Sequence, residues 1–229
     1  MDWESARLSF ALAVVTAIAL TPLGMILARW LAFTAWHGRP LIEALTMLPL
    51  LLPPTVIGFY MLTAFGSNSP LGAWLDAAIG LKLVFTFEGL VFASVLINIP
   101  FMVQPLQRAF AAIPRDVREA AWVSGLSHWE TWRRIELPLA WPGLLAGFAL
   151  TIAHTLGEFG VVLMVGGSIA GETKTLSIAI YDRVQGFDSA AAAVMSVTLV
   201  VFSLIAIAVV LATGGSKVRS DDPTREDSR

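Results

Sequence analysis

The sequence predicts an all-α polytopic membrane protein with five transmembrane helices. Three observations predict it. Hydrophobic residues make up 56% of the 229 positions and charged residues only 14%, where a soluble chain carries about a quarter charged residues. Several apolar runs reach the ~20 residues a helix needs to cross a ~30 Å hydrocarbon core. Between the third and fourth of these runs lies a charged, tryptophan-rich island unsuited to a bilayer. The ~10-residue segments of alternating polarity that mark a β-barrel are absent.

The elements come in order along the chain. Met1 to Arg7 holds Asp2, Glu4 and a single basic residue, so it lacks the basic start of a cleaved signal. The run behind it is read as a retained first span, residues 8–33. The second span, 42–65, contains Pro53 and Pro54, which donate no amide hydrogen to the carbonyls of Pro49 and Leu50. In lipid those carbonyls need other partners or a wet cavity. A broken helix beside a pathway, with Pro53, Pro54 and Thr55 lining it, and a kink serving only packing both fit. Residues 71–83 are too short and interrupted to span and are placed at an interface.

The third span, 88–113, repeats the pattern more weakly through Asn98, Pro100 and Gln104. The island, 114–138, comes next. In the fourth span, 141–165, Thr151, His154, Thr155 and Glu158 fall at i, i+3, i+4 and i+7, which makes one helical face polar. Ionisable groups inside a membrane are costly and face a cavity or a partner. Two readings stay open: a lining of a translocation path or subunit interface, and a Glu158–His154 pair locking helix packing. Residues 169–187 are read as an extramembrane loop with a short helix, and 190–213 as the fifth span. The transmembrane domain is thus 1–213, and 214–229 a polar cytoplasmic tail. No soluble domain is expected at either end.

Of the fifteen Lys and Arg, eleven fall on the side that holds the island and four on the other. The positive-inside rule then places the island and the C-terminus in the cytoplasm and the N-terminus outside. There are no cysteines, so there is no thiolate metal site, and His37, His128 and His154 offer no metal-ligand spacing. Gly166 and Gly171 have the spacing that opens a phosphate loop, but Glu172 stands where its lysine belongs, so no ATP site is assigned. Nucleic acid is not an expected partner.

Within the island, Pro114, Arg115 and Asp116 suit a helix start, with Asp116 near the positive end of the dipole. Gly125 permits the left-handed residue that ends many helices. A second helix is expected over 128–135, with Pro138 stopping it before the fourth span. The island reads Glu119-Ala120-Ala121, three residues, Gly125, nine residues, Ile135, one residue, Leu137-Pro138. This resembles, without a gap, the EAA loop of ABC-importer permeases. The resemblance implies an ABC type I importer permease of the MetI-like class, whose loop is a coupling helix docking on a cytoplasmic ATPase. It implies ATPase coupling by Glu119, Ala120, Ala121, Gly125, Ile135, Leu137 and Pro138. ATP and Mg would sit on the partner ATPase, and this chain would bind no cofactor and catalyse no reaction itself.

The Pro-Pro segment, Leu156-Gly157-Glu158-Phe159-Gly160 and Gly171-Glu172-Thr173-Lys174-Thr175 are together similar to the molybdate permease family, ModB, over nearly the whole chain. That resemblance implies a homodimer in the cell inner membrane, two copies of an ABC ATPase, and a periplasmic or lipid-tethered molybdate-binding protein. Molybdate is the expected cargo, with tungstate as a second one. Asn98, Thr151, His154, Thr155 and Glu158 join Pro53, Pro54 and Thr55 as candidates for the path or for helix packing. One departure stands out: relatives commonly carry Arg at the position of His154, so a fixed charge is exchanged for one that titrates. Three alternatives remain: a sulfate or thiosulfate permease of the same architecture, an intramembrane enzyme using Glu158 and His154 as acid and base, and a channel-like conduit that needs no ATPase.

Overall fold

The computed structural model describes residues 2–214, and every regular element among them is helical. The expected tail lies, apart from Gly214, outside the described residues. Among the described residues four helices are long and apolar enough to cross a bilayer: α1 (Trp3–Phe33), α5 (Phe87–Ala111), a continuous helix over His128–Gly157, and Ser189–Ala208 of the last helix. A bent pair, α2 (Arg39–Leu51) and α3 (Pro54–Phe65), makes a fifth crossing if taken as one span. The protein is therefore an all-α polytopic membrane protein.

α5 stands at the centre, flanked by α1 and by α8 (Leu137–Gly157). Leu20, Ala28 and Leu31 of α1 meet Met102, Val103, Leu106 and Phe110 of α5 and Leu144 of α8 in one buried cluster. The last helix, α11 (Ser189–Gly214), packs on α8 and leaves Val194, Val197 and Leu204 exposed. Such apolar exposure suits lipid or a partner rather than water.

The second span is broken, and proline causes the break. A residue before proline is pushed out of the α region, and here two such residues stand in series. Leu52 takes φ −83°, ψ 137° and Pro53 takes φ −55°, ψ 136°, so the two helices meet at 104°. The pair still leads from one end of α5 to the other. Glu43 of α2 accepts a 2.9 Å hydrogen bond from Gln107 near the end of α5, and Phe65 of α3 meets Phe92 near its start. α4 (Pro70–Ile79) comes next, too short to cross.

The fourth span departs from expectation at both ends. Pro138 does not stop the preceding helix: α7 (His128–Thr131) runs through a turn of π-helix, Trp132–Glu136, directly into α8. The Leu137 amide reaches back to the carbonyl of Trp132, and proline is tolerated where a helical register begins anew. At the other end α8 stops at Gly157, not at residue 165, and a separate α9 (Gly160–Gly166) continues. Gly157 and Gly160 are weak helix formers, and hydrogen bonds of Glu158 hold the chain open between them. α10 (Leu176–Gln185) lies in the expected loop, tied to α1 where the Leu176 amide donates to Ser9 Oγ at 2.7 Å.

Candidate functional site

Two features combine chemistry with position: a polar cavity at the two helix breaks and the loop over 114–138. The break in α8–α9 faces the break in α2–α3. Glu158 is extended, φ −69° and ψ 133°, so it does not continue the polar helical face predicted through Thr151, His154 and Thr155. Its carboxylate instead turns forward and accepts from the Val161 amide at 2.9 Å, while its carbonyl accepts from Ser177 Oγ at 2.6 Å. Two of the backbone groups released by the interruption, one amide and one carbonyl, are thereby satisfied, as a buried break requires. Gly160 permits the approach: a Cβ there would stand 2.9 Å from Cβ of Pro54.

Around this junction Pro49, Leu52, Pro54, Phe101, His154 and Glu158 line a cavity of ≈ 130 Å³, room for several waters. His154 and Glu158 supply its polar lining, and buried Asn98 stands behind His154. The Asn98 amide nitrogen donates to the Ser94 carbonyl at 2.8 Å and to Thr155 Oγ1 at 3.0 Å, so its oxygen must face His154 Nδ1, 3.1 Å away. That arrangement places the imidazole proton on Nδ1 and leaves Nε2 pointing at Glu158 Oε2, 4.0 Å away. Phe101 stacks on the ring at 4.1 Å. The Thr155 hydroxyl donates to the Thr151 carbonyl at 2.8 Å, whereas Thr151 Oγ1 is buried without a hydrogen-bond partner among the described residues. The structure thus gathers Asn98, His154, Thr155 and Glu158 into one network with Pro54 across the cavity. Pro53 and Thr55 lie on the exposed side of the break.

The loop over 114–138 is a built object. α6 (Arg115–Val123) ends in a two-bond left-handed cap: Gly125 has φ +85°, its amide donates to the Trp122 carbonyl at 3.0 Å, and the Leu126 amide donates to the Ala121 carbonyl at 3.1 Å. Glycine adopts that backbone without steric cost. α7 opens on a capping box in which Ser127 and Glu130 exchange bonds. The Ser127 backbone amide, and then its hydroxyl, hold the Glu130 carboxyl below the usual carboxylate range. Glu119 and Ala120 are exposed and Val123 is 90% exposed, but Ala121 is buried. Ala121 therefore seats α6 on its own loop and is not available to a partner. Ile135 and Leu137 are half-buried, and Pro138 is exposed.

Sequence reasoning missed Glu136. It fills the unspecified position of the motif, yet its side chain is 0% exposed and it binds two arginines, Arg29 Nε of α1 at 2.5 Å and Arg118 Nε of α6 at 2.9 Å. The Arg118 guanidinium also covers the Phe33 ring at 3.6 Å. The only hint in the sequence is a carboxylate between Ile135 and Leu137 at the edge of an apolar span, a costly place for an unpaired charge.

The family described as "Binding-protein-dependent transport system inner membrane component" matches residues 20–214. The molybdenum transport system permease protein ModB of Azotobacter vinelandii is 42% identical over 90% of this chain and 91% of its own. The sulfate transport system permease protein CysT of Escherichia coli K12 is 34% identical over 84% of this chain and 69% of its own. Among solved structures, a bacterial alginate ABC transporter chain superimposes with a TM-score of 0.70 at 16% identity, over 91% of this chain and 75% of that one. That likeness shows a shared fold.

Proposed function

This chain belongs to the family of binding-protein-dependent transport system inner membrane components, and from that premise we propose that it is the permease through which an ATP-driven importer moves molybdate inward, with tungstate as a second cargo. The observation that carries this reading is one chain holding both a capped docking helix, with Glu119, Ala120 and Val123 exposed, and a polar cavity where two broken helices meet. Broken spanning helices are tolerated where they line a cavity or are buried in protein, and transporters of other folds bind cargo at such breaks. The N-terminus of α3, free of any side-chain cap, presents a positive dipole end that favours an oxyanion.

Five crossings supply half a path, so two copies would enclose it, each engaging one ATPase, with a binding protein on the outer face. ATP would close the ATPase pair, draw the α6 helices together and open the path outward; hydrolysis would reverse this. The docking loop lies in the cytoplasm and the N-terminus outside. Two observations support that orientation: the uneven distribution of Lys and Arg, and the placement of Glu4 beside Gly171, at the end of α1 away from the Arg29 that reaches the loop. The intramembrane enzyme is not favoured, because Glu158 is engaged in capping α9 and His154 in holding Asn98.

The test compares ATP hydrolysis by the reconstituted complex when molybdate, tungstate or sulfate arrives on a binding protein. Stimulation by molybdate and tungstate is expected. Stimulation by sulfate alone would reassign the cargo, and stimulation by none would overturn the importer reading.

A further inference from the structure

The loop transmits a force only if something rigid joins it to the spans. α6 packs its backbone on α7 and on the π-helical turn, and α7 is continuous with α8. A push on α6 therefore reaches α8 directly. Its route to α1 is different and passes through charge. Glu136, the last residue of the π turn, is fully buried and takes Arg118 on one oxygen and Arg29 on the other, with a second Arg29 contact of 3.3 Å on Oε1. Arg118 in addition lies over Phe33 in the final turn of α1. The π turn holds one more residue than an α turn, which rotates the succeeding helix by about 100°. That rotation separates the exposed Arg133 and Arg134 from the inward-facing Glu136. One carboxylate thus clamps three elements, in charge-assisted bonds of the strong class.

We propose that Glu136 is a positioning residue that makes α1 and α8 move as one lever when α6 is displaced, through its bond to Arg29. This rests on α6 being the surface that docks the ATPase. Arg29 is the arm to cut, because its removal leaves Glu136 paired with Arg118 and the loop intact.

The experiment uses the full complex with its ATPase in proteoliposomes and reads molybdate transported per ATP hydrolysed, beside the yield of assembled complex. Arg29→Met is expected to assemble and hydrolyse ATP but to lower that ratio at least tenfold, and Arg29→Lys to recover part of it. A ratio equal to wild type in the assembled fraction, whatever the yield, would overturn the link and leave Glu136 a packing residue. If Arg29→Met does not assemble, Arg29→Gln, which keeps a neutral donor toward Glu136 but removes the charge, carries the measurement instead: a lowered ratio supports the link and a ratio equal to wild type overturns it. Gly125→Glu separates the two claims. If it leaves ATPase binding and uptake untouched, the docking reading fails; if it uncouples while the Arg29 variants stay coupled, only the Glu136 link fails.

Discussion

Glu158 shows at the level of single atoms why an ionisable residue sits in an apolar span. Its carboxylate does the work of a helix cap, accepting from the Val161 amide, and leaves its second oxygen toward His154. Glu158→Gln keeps a carbonyl oxygen for the amide and removes the charge. We expect it to assemble at normal thermal stability while transporting more slowly, and unchanged uptake would reduce Glu158 to packing. Glu158→Ala removes the cap as well, and a loss of about 1 kcal/mol should appear as a lower melting temperature. Gly160→Ala drives a methyl against Pro54, 2.9 Å away, and overpacking of this kind costs about 1–3 kcal/mol. Calorimetry of the purified protein checks it. Sequence pattern found these residues but not their geometry. Counting i to i+7 assumed a helix through Glu158, and nothing local announces that Ser177, far along the chain, will take its carbonyl.

Among the elements, the breaks divide into one that was legible and one that was not. Leu52-Pro53-Pro54 forces extended backbone by local sterics, so the interruption of the second span could be read directly. The interruption after Gly157 depends on tertiary bonds. The join at Pro138 was misread for a similar reason: proline ends a regular α-helix, but the π turn before it shifts the register and lets the helix continue. The end of α6 was fully legible, because Gly125 is the residue that a left-handed cap requires. Any side chain there incurs about 1–2 kcal/mol of backbone strain, and a bulky charged one also projects from the proposed docking face, where nothing lies within 4 Å. Gly125→Arg should therefore uncouple ATP hydrolysis from uptake, measured together in one vesicle preparation. The capping box of α7 gives a pH prediction. The Glu130 carboxyl is held low in the folded state, so its contribution is present above the ordinary carboxylate pKa and fades as pH falls through the lowered value. Protection of the amides in the first turn of α7, corrected for the intrinsic pH dependence of exchange, should fall in acid and be flat across neutral pH.

For the molecule as a whole, the bent pair α2–α3 settles how the chain traverses itself. The 104° angle suggests a re-entrant loop when seen alone, yet Glu43 and Phe65 meet opposite ends of α5. The pair therefore leads from one end of α5 to the other, and the Arg29–Glu136–Arg118 bonds hold α6 at the end of α1 away from Glu4. Composition and apolar run lengths made this class legible, because lipid leaves the backbone few alternatives to helices. They did not reveal the clamp at Glu136, because a motif records which positions are specified and not which are buried. The exposed faces of the second span and of α11 suit a second copy, and mass measurement of the detergent-purified complex should find two permease chains. The central claim is that this chain converts work done at α6 into movement of an oxyanion through the junction of its broken helices. It is tested most directly by molybdate uptake into proteoliposomes holding the permease, a loaded binding protein and either an active ATPase or one unable to hydrolyse ATP. The account predicts accumulation against a gradient with the active ATPase and none with the inactive one; equal uptake in both would contradict it.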